Sequence, residues 1–433
     1  MYYAKEWLVA MIKQLLNADD AALEEVFKRR TSLDTVMDTV KKVSDDVRSG
    51  GDAAVKKYTK QYDGVELRDL EVTEDEMYNA VELIDIETIG HLEKAIDNIE
   101  AFHALQRPTG DMWLTEVSPG IRLGQKYTPL ERVGAYVPGG TGSYPSTALM
   151  LVVPAKVAGV SEIIACTPPR KDGTVHPLTL TALDMAGADR IFKIGGVQAV
   201  AAMAYGTRSI PRVEKIVGPG NIYVTAAKMH LRDAVEIDMP AGPSEIVVIA
   251  DDMANPSFIA ADLLAQAEHD ANSMSILLTP SELLAEAVDI ELEKQKEGAL
   301  RRQIIDKAGM GIYVLDDLET AVEACNRIAP EHVEVMVRDP LPVLDKIRNA
   351  GTVYLGDYAP VAAGDYASGA NHVLPTGGYA KVFSGMNTMQ FIKTTSVQVI
   401  EKEGLADIKD TIIALANIEG FEAHARSVTK RFE

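Results

Sequence analysis

The feature that most constrains the fold is a repeated alternation of short apolar runs with alanine-rich segments of helical spacing, beginning near Arg132. Each alanine-rich segment, such as VQAVAAMAYG or NIYVTAAKMHL, follows a glycine-containing turn. Strands and helices that alternate in this order are typical of βαβ units, whose strands are parallel. The pattern predicts four strands in a first lobe, at 132–137, 162–166, 190–194 and 215–217.

A second series of the same kind follows. It predicts strands at 245–250, 275–279, 311–315, 333–337 and 352–355. The length agrees with two lobes, because 433 residues exceed the size at which a single hydrophobic core stops growing. The predicted fold class is therefore α/β, with two Rossmann-like, incompletely doubly wound lobes and helical segments at both ends of the chain.

The flanking segments give the predicted domain boundaries. Residues 1–25 are predicted to form a helical N-terminal arm, because polar residues such as Lys5 and Lys13 interrupt its apolar residues at helical spacing. We assign residues 135–244 to one α/β lobe, residues 26–134 together with 245–380 to the other, and 381–433 to a helical C-terminal tail.

The net charge of the chain limits the classes of partner that it is expected to bind. The chain carries 43 basic and 64 acidic residues, a net charge of −21, which repels phosphate backbones and anionic lipid surfaces. Its apolar runs are too short to span a bilayer, and its opening lacks the unbroken apolar core of a signal peptide. We therefore expect a cytoplasmic protein that acts on a small molecule, with no nucleic-acid or membrane partner.

The two cysteines, Cys166 and Cys325, lie in apolar settings without metal-ligand spacing. They support neither a disulfide framework nor a thiolate zinc site. Any bound metal must therefore be held by nitrogen and oxygen atoms.

Three glycine turns at predicted strand ends are candidates for ligand binding: VGAYVPGGTGSYPS, KIGGVQAV and KIVGPGNIYV. Glycine lets the backbone approach a ligand closely, and the free amides of the next helix attract anions such as a pyrophosphate. None of the turns has the full G-x-G-x-x-G pattern, so each taken alone is equally well explained as a tight strand-to-helix turn. Their occurrence together favours a dinucleotide.

Nitrogen and oxygen ligands are scattered over the second lobe and the tail. Gln266 and His269 are three apart on a predicted helix and so share a face, Asp365 precedes His372 in a glycine-rich loop, and His424 lies in the tail. Each residue alone is more often a helix cap or a packed side chain, so spacing does not by itself establish a metal site.

The tripeptide Pro330-Glu331-His332 joins a predicted helix to a predicted strand. An adjacent carboxyl and imidazole can divide proton-transfer duties between them. The alternative is a helix-ending proline followed by solvated polar residues.

These pieces occur together in one family. The sequence resembles the histidinol dehydrogenases from about Gly134 to His424, and more diffusely before that, in the segments GAYVPGG, GGVQAVAAMAYG, VGPGN, IDMPAGPSE, LLAQAEHD, APEHVE, GDYASGANHVLPTGG and EGFEAHA. The resemblance implies an enzyme that oxidises an amino alcohol to the amino acid in two NAD-dependent steps, through a bound aldehyde, at the end of histidine biosynthesis.

The resemblance also implies roles for individual residues. It implies one Zn²⁺ per subunit, held by Gln266, His269, Asp365 and His424. It makes Glu331 and His332 the catalytic pair. It implies NAD⁺ contacts at Tyr136, Gln198 and Asn221. It implies substrate contacts at Ser244, Gln266, His269, His332, Asp365, His372, Glu419 and His424. It further implies a homodimer in which the C-terminal tail of one chain completes the site of the other.

One position departs from the family pattern. Many members carry a glutamate four residues before the zinc aspartate, near the imidazole end of the substrate, where this chain has Val361. Because valine cannot accept a hydrogen bond, the same chemistry on another amino alcohol or on a diol, for example a sulfonated propanediol, stays an alternative. A zinc hydrolase is an alternative of a different class.

Overall fold

A computed structural model describes residues 12–14, 26, 33–139 and 142–433 of the chain. The strands are β1 Ile12–Gln14, β2 Met112–Ser118, β3 Ile121–Pro129, β4 Arg132–Tyr136, β5 Glu162–Cys166, β6 Arg190–Phe192, β7 Lys215–Val217, β8 Glu236–Ile237, β9 Glu245–Ala250, β10 Met274–Thr279, β11 Gly309–Val314, β12 His332–Met336, β13 Thr352–Leu355 and β14 Ile392–Ile400. The α-helices are α1 Asp34–Tyr62, α2 Glu74–Glu82, α3 Ile86–Ala104, α4 Pro145–Ala158, α5 Pro177–Ala186, α6 Gly196–Tyr205, α7 Ile222–His230, α8 Pro256–Ala267, α9 Glu282–Lys296, α10 Arg302–Ile305, α11 Leu318–Ile328, α12 Leu341–Leu344, α13 Val361–Tyr366, α14 Lys402–Ile418 and α15 Glu422–Thr429. Within these ranges, no helix is both long and apolar enough to cross a membrane.

The first lobe is built on a five-stranded parallel sheet with the order β6-β5-β4-β7-β8. In chain order this is 3-2-1-4-5, the order of a Rossmann-like sheet, whose direction reverses between β4 and β7. All four predicted strands are present, and β8 adds a fifth. The strands are buried on both faces, as expected for a parallel sheet covered by helices on each side.

The second lobe contains a six-stranded parallel sheet with the order β1-β11-β10-β9-β12-β13. Its five predicted strands are all present and again follow the order 3-2-1-4-5. Two parallel sheets with helices on their faces confirm the predicted α/β class.

The outermost strand of this sheet corrects the predicted N-terminal arm. Of residues 1–25 the structure describes Ile12–Gln14, which pair in parallel with Ile312–Val314 of β11. The helix prediction is therefore wrong for these three residues, and the rest of the predicted arm lies outside the described residues. The edge of β11 offers unpaired backbone groups, and pairing with them outweighs a local helical pattern.

The domain assignment of residues 26–134 is also wrong. Helix α1 packs on α6 and α7, α2 on α5, and α3 on α4, so this segment covers the first lobe rather than the second. The apolar face of α1, including Val40 and Val47, belongs to the same core cluster as Val200 in α6. The proposed boundary at 134/135 moreover divides strand β4. Helical periodicity shows which face of a helix is apolar but does not show which neighbour it covers.

A third sheet was not predicted. It is antiparallel, with the order β14-β3-β2, and it joins the middle of the chain to the C-terminal segment. Strand β14 lies in the tail that was predicted to be helical, so that prediction is wrong for Ile392–Ile400 and correct for α14 and α15. Strands β2 and β14 are largely exposed, and their apolar residues do not alternate regularly with polar ones, which leaves only a weak period-two signal in the sequence.

Candidate active site

The predicted catalytic pair lies at the amino-terminal edge of the six-stranded sheet. His332 is the first residue of β12, and Glu245 is the first residue of the neighbouring strand β9. Open α/β sheets more often bind ligands at the carboxyl edge. In the first lobe the glycine turns lie at the carboxyl edge, because they come after the last residues of β4, β6 and β7.

A chain of contacts brings the two edges together. His332 Nε2 lies 3.8 Å from Asp365 Oδ1, and the Asp365 carbonyl oxygen lies 2.8 Å from His372 Nδ1. His372 Nε2 in turn lies 3.3 Å from the hydroxyl of Thr147, in the first turn of α4. The amino edge of one sheet and the carboxyl edge of the other therefore line a common site.

Helix ends give the two sides of this site opposite polarity. Helix α8 ends just before His269, and α11 ends just before Pro330, so two carboxyl-terminal ends approach from the second lobe. Helices α4, α6 and α7 approach from the first lobe with their amino-terminal ends. Carboxyl-terminal ends favour cations and amino-terminal ends favour anions. The arrangement suits a metal ion on one side and a phosphate-bearing ligand on the other.

A left-handed turn directs the catalytic pair into the site. Ala329 has φ 51°, the only positive φ of a non-glycine residue within the described ranges, and its N–H donates to the Cys325 carbonyl. Pro330 then starts the extended segment, and Thr352 N–H donates to the Glu331 carbonyl oxygen at 3.0 Å. The predicted junction of helix and strand is confirmed, and the prediction of solvated polar residues is wrong, because Glu331 and His332 are both buried.

The backbone of Glu245 holds both members of the pair. Glu245 N–H donates to Glu331 Oε2 at 2.9 Å, and the Glu245 carbonyl oxygen lies 2.9 Å from His332 Nδ1. Sequence reasoning selected the adjacent Ser244 and missed Glu245, although both belong to the segment IDMPAGPSE. Ser244 is half-buried at the same edge.

His332 has the properties of a general base. Because Nδ1 faces a carbonyl oxygen, the neutral ring carries its proton there, and Nε2 is left with a free lone pair. Nε2 is buried and has no hydrogen-bond partner among the described residues. Burial lowers the pKa of His332 to about 3, assisted by the nearby imidazoles of His372 and His269. The ring is therefore neutral at physiological pH.

Glu331 has the opposite character. Its carboxyl is buried beside the imidazole, with Oε2 3.6 Å from His332 Nδ1. Burial raises the pKa of Glu331 well above its ordinary value, because desolvation favours the neutral carboxylic acid over the carboxylate.

Three other second-lobe residues, Asp365, His372 and His269, lie near this pair. Burial raises the pKa of Asp365 to about 7 and lowers that of His372 to about 4. His269 keeps an exposed surface, and partial desolvation lowers its pKa as well. Gln266 is buried in the last turn of α8, which ends at Ala267. His269 therefore lies in the turn after the helix, and the prediction that both residues share a helix face is wrong.

Glu419 and His424 do not join them within one chain. Both are exposed, and His424 contacts the ring of Phe421, with 5.4 Å between ring centroids. In the part of the chain that the structure describes, no three His, Cys, Asp or Glu side chains form a cluster able to hold a metal.

The chemistry of the second-lobe residues nevertheless fits a divalent cation. Zinc accepts donors of the three kinds found here: the neutral imidazole of His269, the amide oxygen of Gln266 and the carboxyl of Asp365. The Asp365 carboxyl is desolvated, so a bound cation would offset the burial of its charge. These three donors belong to one chain, and a four-coordinate zinc ion would need a fourth donor from elsewhere.

The three predicted cofactor residues lie at the carboxyl edge of the first sheet. The Tyr136 hydroxyl accepts the Gly196 N–H at 3.1 Å. Gln198 is buried, and its Oε1 has no partner among the described residues. Asn221 caps α7, with Oδ1 accepting the Tyr223 and Val224 N–H groups, a structural role that the sequence reading did not assign.

Position 218, in the third glycine turn, requires glycine for a steric reason. Gly218 has φ 119°, and a Cβ at this position would lie 2.2 Å from the Tyr136 carbonyl oxygen. The turn therefore requires glycine to close against β4 at the point where the sheet order reverses. That point is where dinucleotides bind in sheets of this order.

Val361, the departure from the family pattern, is a core residue. Its side chain is buried in an apolar cluster with Leu264 and Tyr354, and its N–H donates to Glu334 Oε1 at 2.8 Å. The position thus contributes packing and presents no polar group to the site.

Sequence reasoning missed the buried carboxyl of Glu334, two residues after His332. Burial and the neighbouring Asp262 carboxyl on α8 raise the pKa of Glu334 to about 9, and burial raises the pKa of Asp262 to about 6. Glu334 accepts the Val361 N–H of α13 and contacts the Asp262 side chain of α8, so it connects strand β12 to both helices. Helix α13 carries Asp365, and α8 carries Gln266 and ends just before His269. The sequence offered one signal for this carboxyl, namely a charged residue within the apolar run VEVMV.

The raised pKa of Glu334 predicts a loss of stability at alkaline pH. A pKa raised on folding contributes stability at low pH that is lost as the pH rises towards about 9. The free energy of unfolding in urea should fall by about 2 kcal/mol between pH 7 and pH 9, and Glu334→Gln should abolish most of this fall. The exposed Glu286→Gln is the matched control. An equal fall in wild type and Glu334→Gln would contradict the assignment.

Together these features define the class of protein. A Rossmann-like sheet with glycine turns at its switch point faces a buried, neutral imidazole base, which is the arrangement of a nucleotide-dependent dehydrogenase.

Comparison with known proteins identifies the family. The family model described as histidinol dehydrogenase matches residues 27–432. The chain is 53% identical to the histidinol dehydrogenase of Methanosarcina mazei over 427 residues, 98% of each chain. It is 49% identical to that of Archaeoglobus fulgidus over 413 residues, 95% of this chain and 100% of the relative. The crystal structure of histidinol dehydrogenase from Elizabethkingia anophelis matches with a TM-score of 0.93 and 38% identity, covering 98% of both chains. The chain belongs to the histidinol dehydrogenase family.

Proposed function

We propose that this protein oxidises L-histidinol to L-histidine in two successive NAD-dependent steps, the last reaction of histidine biosynthesis. The observation that carries the proposal is the buried His332 imidazole, whose free Nε2 faces the junction of the two sheets. Family membership agrees with it, because the matched relatives are histidinol dehydrogenases along almost their whole length.

Two groups would complete the site. Gln266, His269 and Asp365, with His424 of the partner subunit, would hold one zinc ion, whose positive charge would help to position the substrate. Tyr136, Gln198 and Asn221, in or next to the glycine turns, would hold NAD⁺, which would supply the hydride acceptor for each step.

His332 acts as base in the first oxidation. Its Nε2 takes the proton of the substrate hydroxyl as the hydride leaves the carbinol carbon, which produces the aldehyde. The Glu245 carbonyl oxygen accepts the Nδ1–H, so it holds the ring in the productive tautomer and stabilises the imidazolium that forms.

Glu331 assists the second half. Its carboxyl, in the neutral form that burial favours, can protonate the aldehyde oxygen, and the water that adds to the carbon gives its proton to the Glu331 carboxylate so formed. His332 releases the proton taken in the first step to solvent, and it then removes a hydroxyl proton from the hydrate as the second hydride leaves. Between the two steps, Ser244 and His372 would help to retain the aldehyde, together with Glu419 of the partner subunit.

Glu331→Gln should therefore slow the two halves unequally. Glutamine can still accept the Glu245 N–H but cannot protonate the aldehyde, so we expect the aldehyde-to-acid half to slow by about 100-fold and the alcohol half to slow much less. Stopped-flow measurement with the aldehyde supplied directly separates the halves. Equal slowing of both would contradict this role.

A homodimer with shared sites is part of the proposal. Around Glu419 and His424, the side chains of Leu415, Ile418 and Phe421 are 55%, 81% and 54% exposed. An apolar surface next to two proposed site residues favours a partner chain that covers it.

The function is tested by following the absorbance of reduced nicotinamide with L-histidinol, with and without a chelator. We expect two reduced cofactors per histidinol consumed and loss of the activity after metal removal. Reduction with another amino alcohol or a diol, but not with histidinol, would favour the alternative substrate. Hydrolysis without cofactor reduction would favour a hydrolase.

A further inference from the structure

Asp365 lies in the last turn of α13, which ends at Tyr366, and His372 lies beyond that helix. The residues between the helix and His372 form no helix or strand. Because the His372 ring is held at the Asp365 carbonyl oxygen, the two side chains depend on the same stretch of backbone. Contacts from outside the segment must therefore hold it in place.

Helix α3 supplies the first of these contacts. The Asn98 side-chain Nδ2 donates to the Ala367 carbonyl oxygen at 2.7 Å. Gly369 lies against the same turn of α3 with φ 101°, and a Cβ at this position would come within 2.3 Å of the Asn98 carbonyl oxygen. The segment is pressed onto α3 so closely that only glycine fits there.

Asn371 supplies the second set of contacts. It is buried, its Nδ2 donates to the Met150 carbonyl oxygen of α4 at 2.7 Å, and its Oδ1 accepts the Val373 N–H at 2.9 Å. The same Nδ2 lies 3.4 Å from Nε2 of the fully buried His103 on α3. The side chain thus connects the segment to α3 and α4, both of which pack on the first lobe.

The geometry points to Asn98 and Asn371 as positioning residues for the proposed reaction. They join the second-lobe segment of Asp365 and His372 to helices of the first lobe, so they set the place of these groups relative to His332 and to the cofactor side. Neither residue contacts the catalytic pair. The inference rests on the proposed function.

The test replaces each amide donor by an acceptor of the same size. In Asn98→Asp and Asn371→Asp a carboxylate oxygen faces a carbonyl oxygen, and Asn98→Ala removes the donor without adding charge. The matched control is Gln295→Glu, which removes a similar amide contact with the Ser257 carbonyl oxygen at the far end of α8.

We expect kcat to fall by about 10-fold or more in the Asn98 and Asn371 variants, because a misplacement of about 1 Å has effects of this order. The KM for NAD⁺ should not change, and amide hydrogen exchange should rise in peptides spanning 365–373 and not elsewhere. Gln295→Glu should behave as wild type. A kcat within twofold of wild type, or a rise in exchange across the whole chain, would overturn the inference. Hydrogen exchange needs no substrate, so it tests the positioning role even if histidinol is not oxidised.

Discussion

Replacing His332 with asparagine should slow both oxidations by about a thousandfold, which lies within the range that general-base catalysis contributes. The side-chain amide of asparagine can still donate to the Glu245 carbonyl oxygen, as Nδ1 of the imidazole does, but it offers no basic nitrogen. Because the same base serves both steps, histidinol and the aldehyde should be affected alike. Single-turnover measurement of cofactor reduction with each substrate gives the two rates.

The control for this variant is cofactor binding. The NAD⁺ contacts that we propose belong to the first lobe, so His332→Asn should bind NAD⁺ with unchanged affinity in a fluorescence titration. Because the site is buried, the thermal unfolding midpoint should be measured beside it. Slowing of only one of the two oxidations would show that each half has its own base.

Mixed dimers of two inactive variants should regain activity. His269→Ala disables the second-lobe side of a site, and His424→Ala disables the tail side. In a heterodimer of the two, one site combines both defects and the other combines both intact halves, so we expect about half of the wild-type activity. Coexpression with two different affinity tags allows the heterodimer to be isolated from either parent.

A second pair of variants provides the matched control. His269 and Asp365 are both contributed by the second lobe, so a heterodimer of His269→Ala with Asp365→Ala contains one defect in each site and should stay inactive. Absence of activity in the first pair would contradict a site shared between chains, and it would require His424 to reach the metal within its own chain, although it is exposed on α15. Activity in the second pair would contradict the assignment of His269 and Asp365 of one site to the same chain.

The parallel strands and the catalytic tripeptide could be predicted from the sequence because their signals are local. Apolar runs bounded by turn-forming residues such as glycine and proline identify strands such as β9 and β12 wherever they end up in space. The same holds for the junction at Pro330, where a proline ends one element and an apolar run starts the next. The resemblance supplied residue roles that spacing alone left open.

The tertiary structure decided everything that depends on contacts between distant residues. It placed helices α1 to α3 on the first lobe and paired β1 and β14 with strands far away in the chain. It set the catalytic pair at an amino-terminal edge, where the Glu245 backbone orients both side chains, and where burial lowers the pKa of His332 and raises the pKa of Glu331. The physical reason is that periodicity reports how apolar each face of an element is, whereas pKa values and site geometry depend on which surfaces meet.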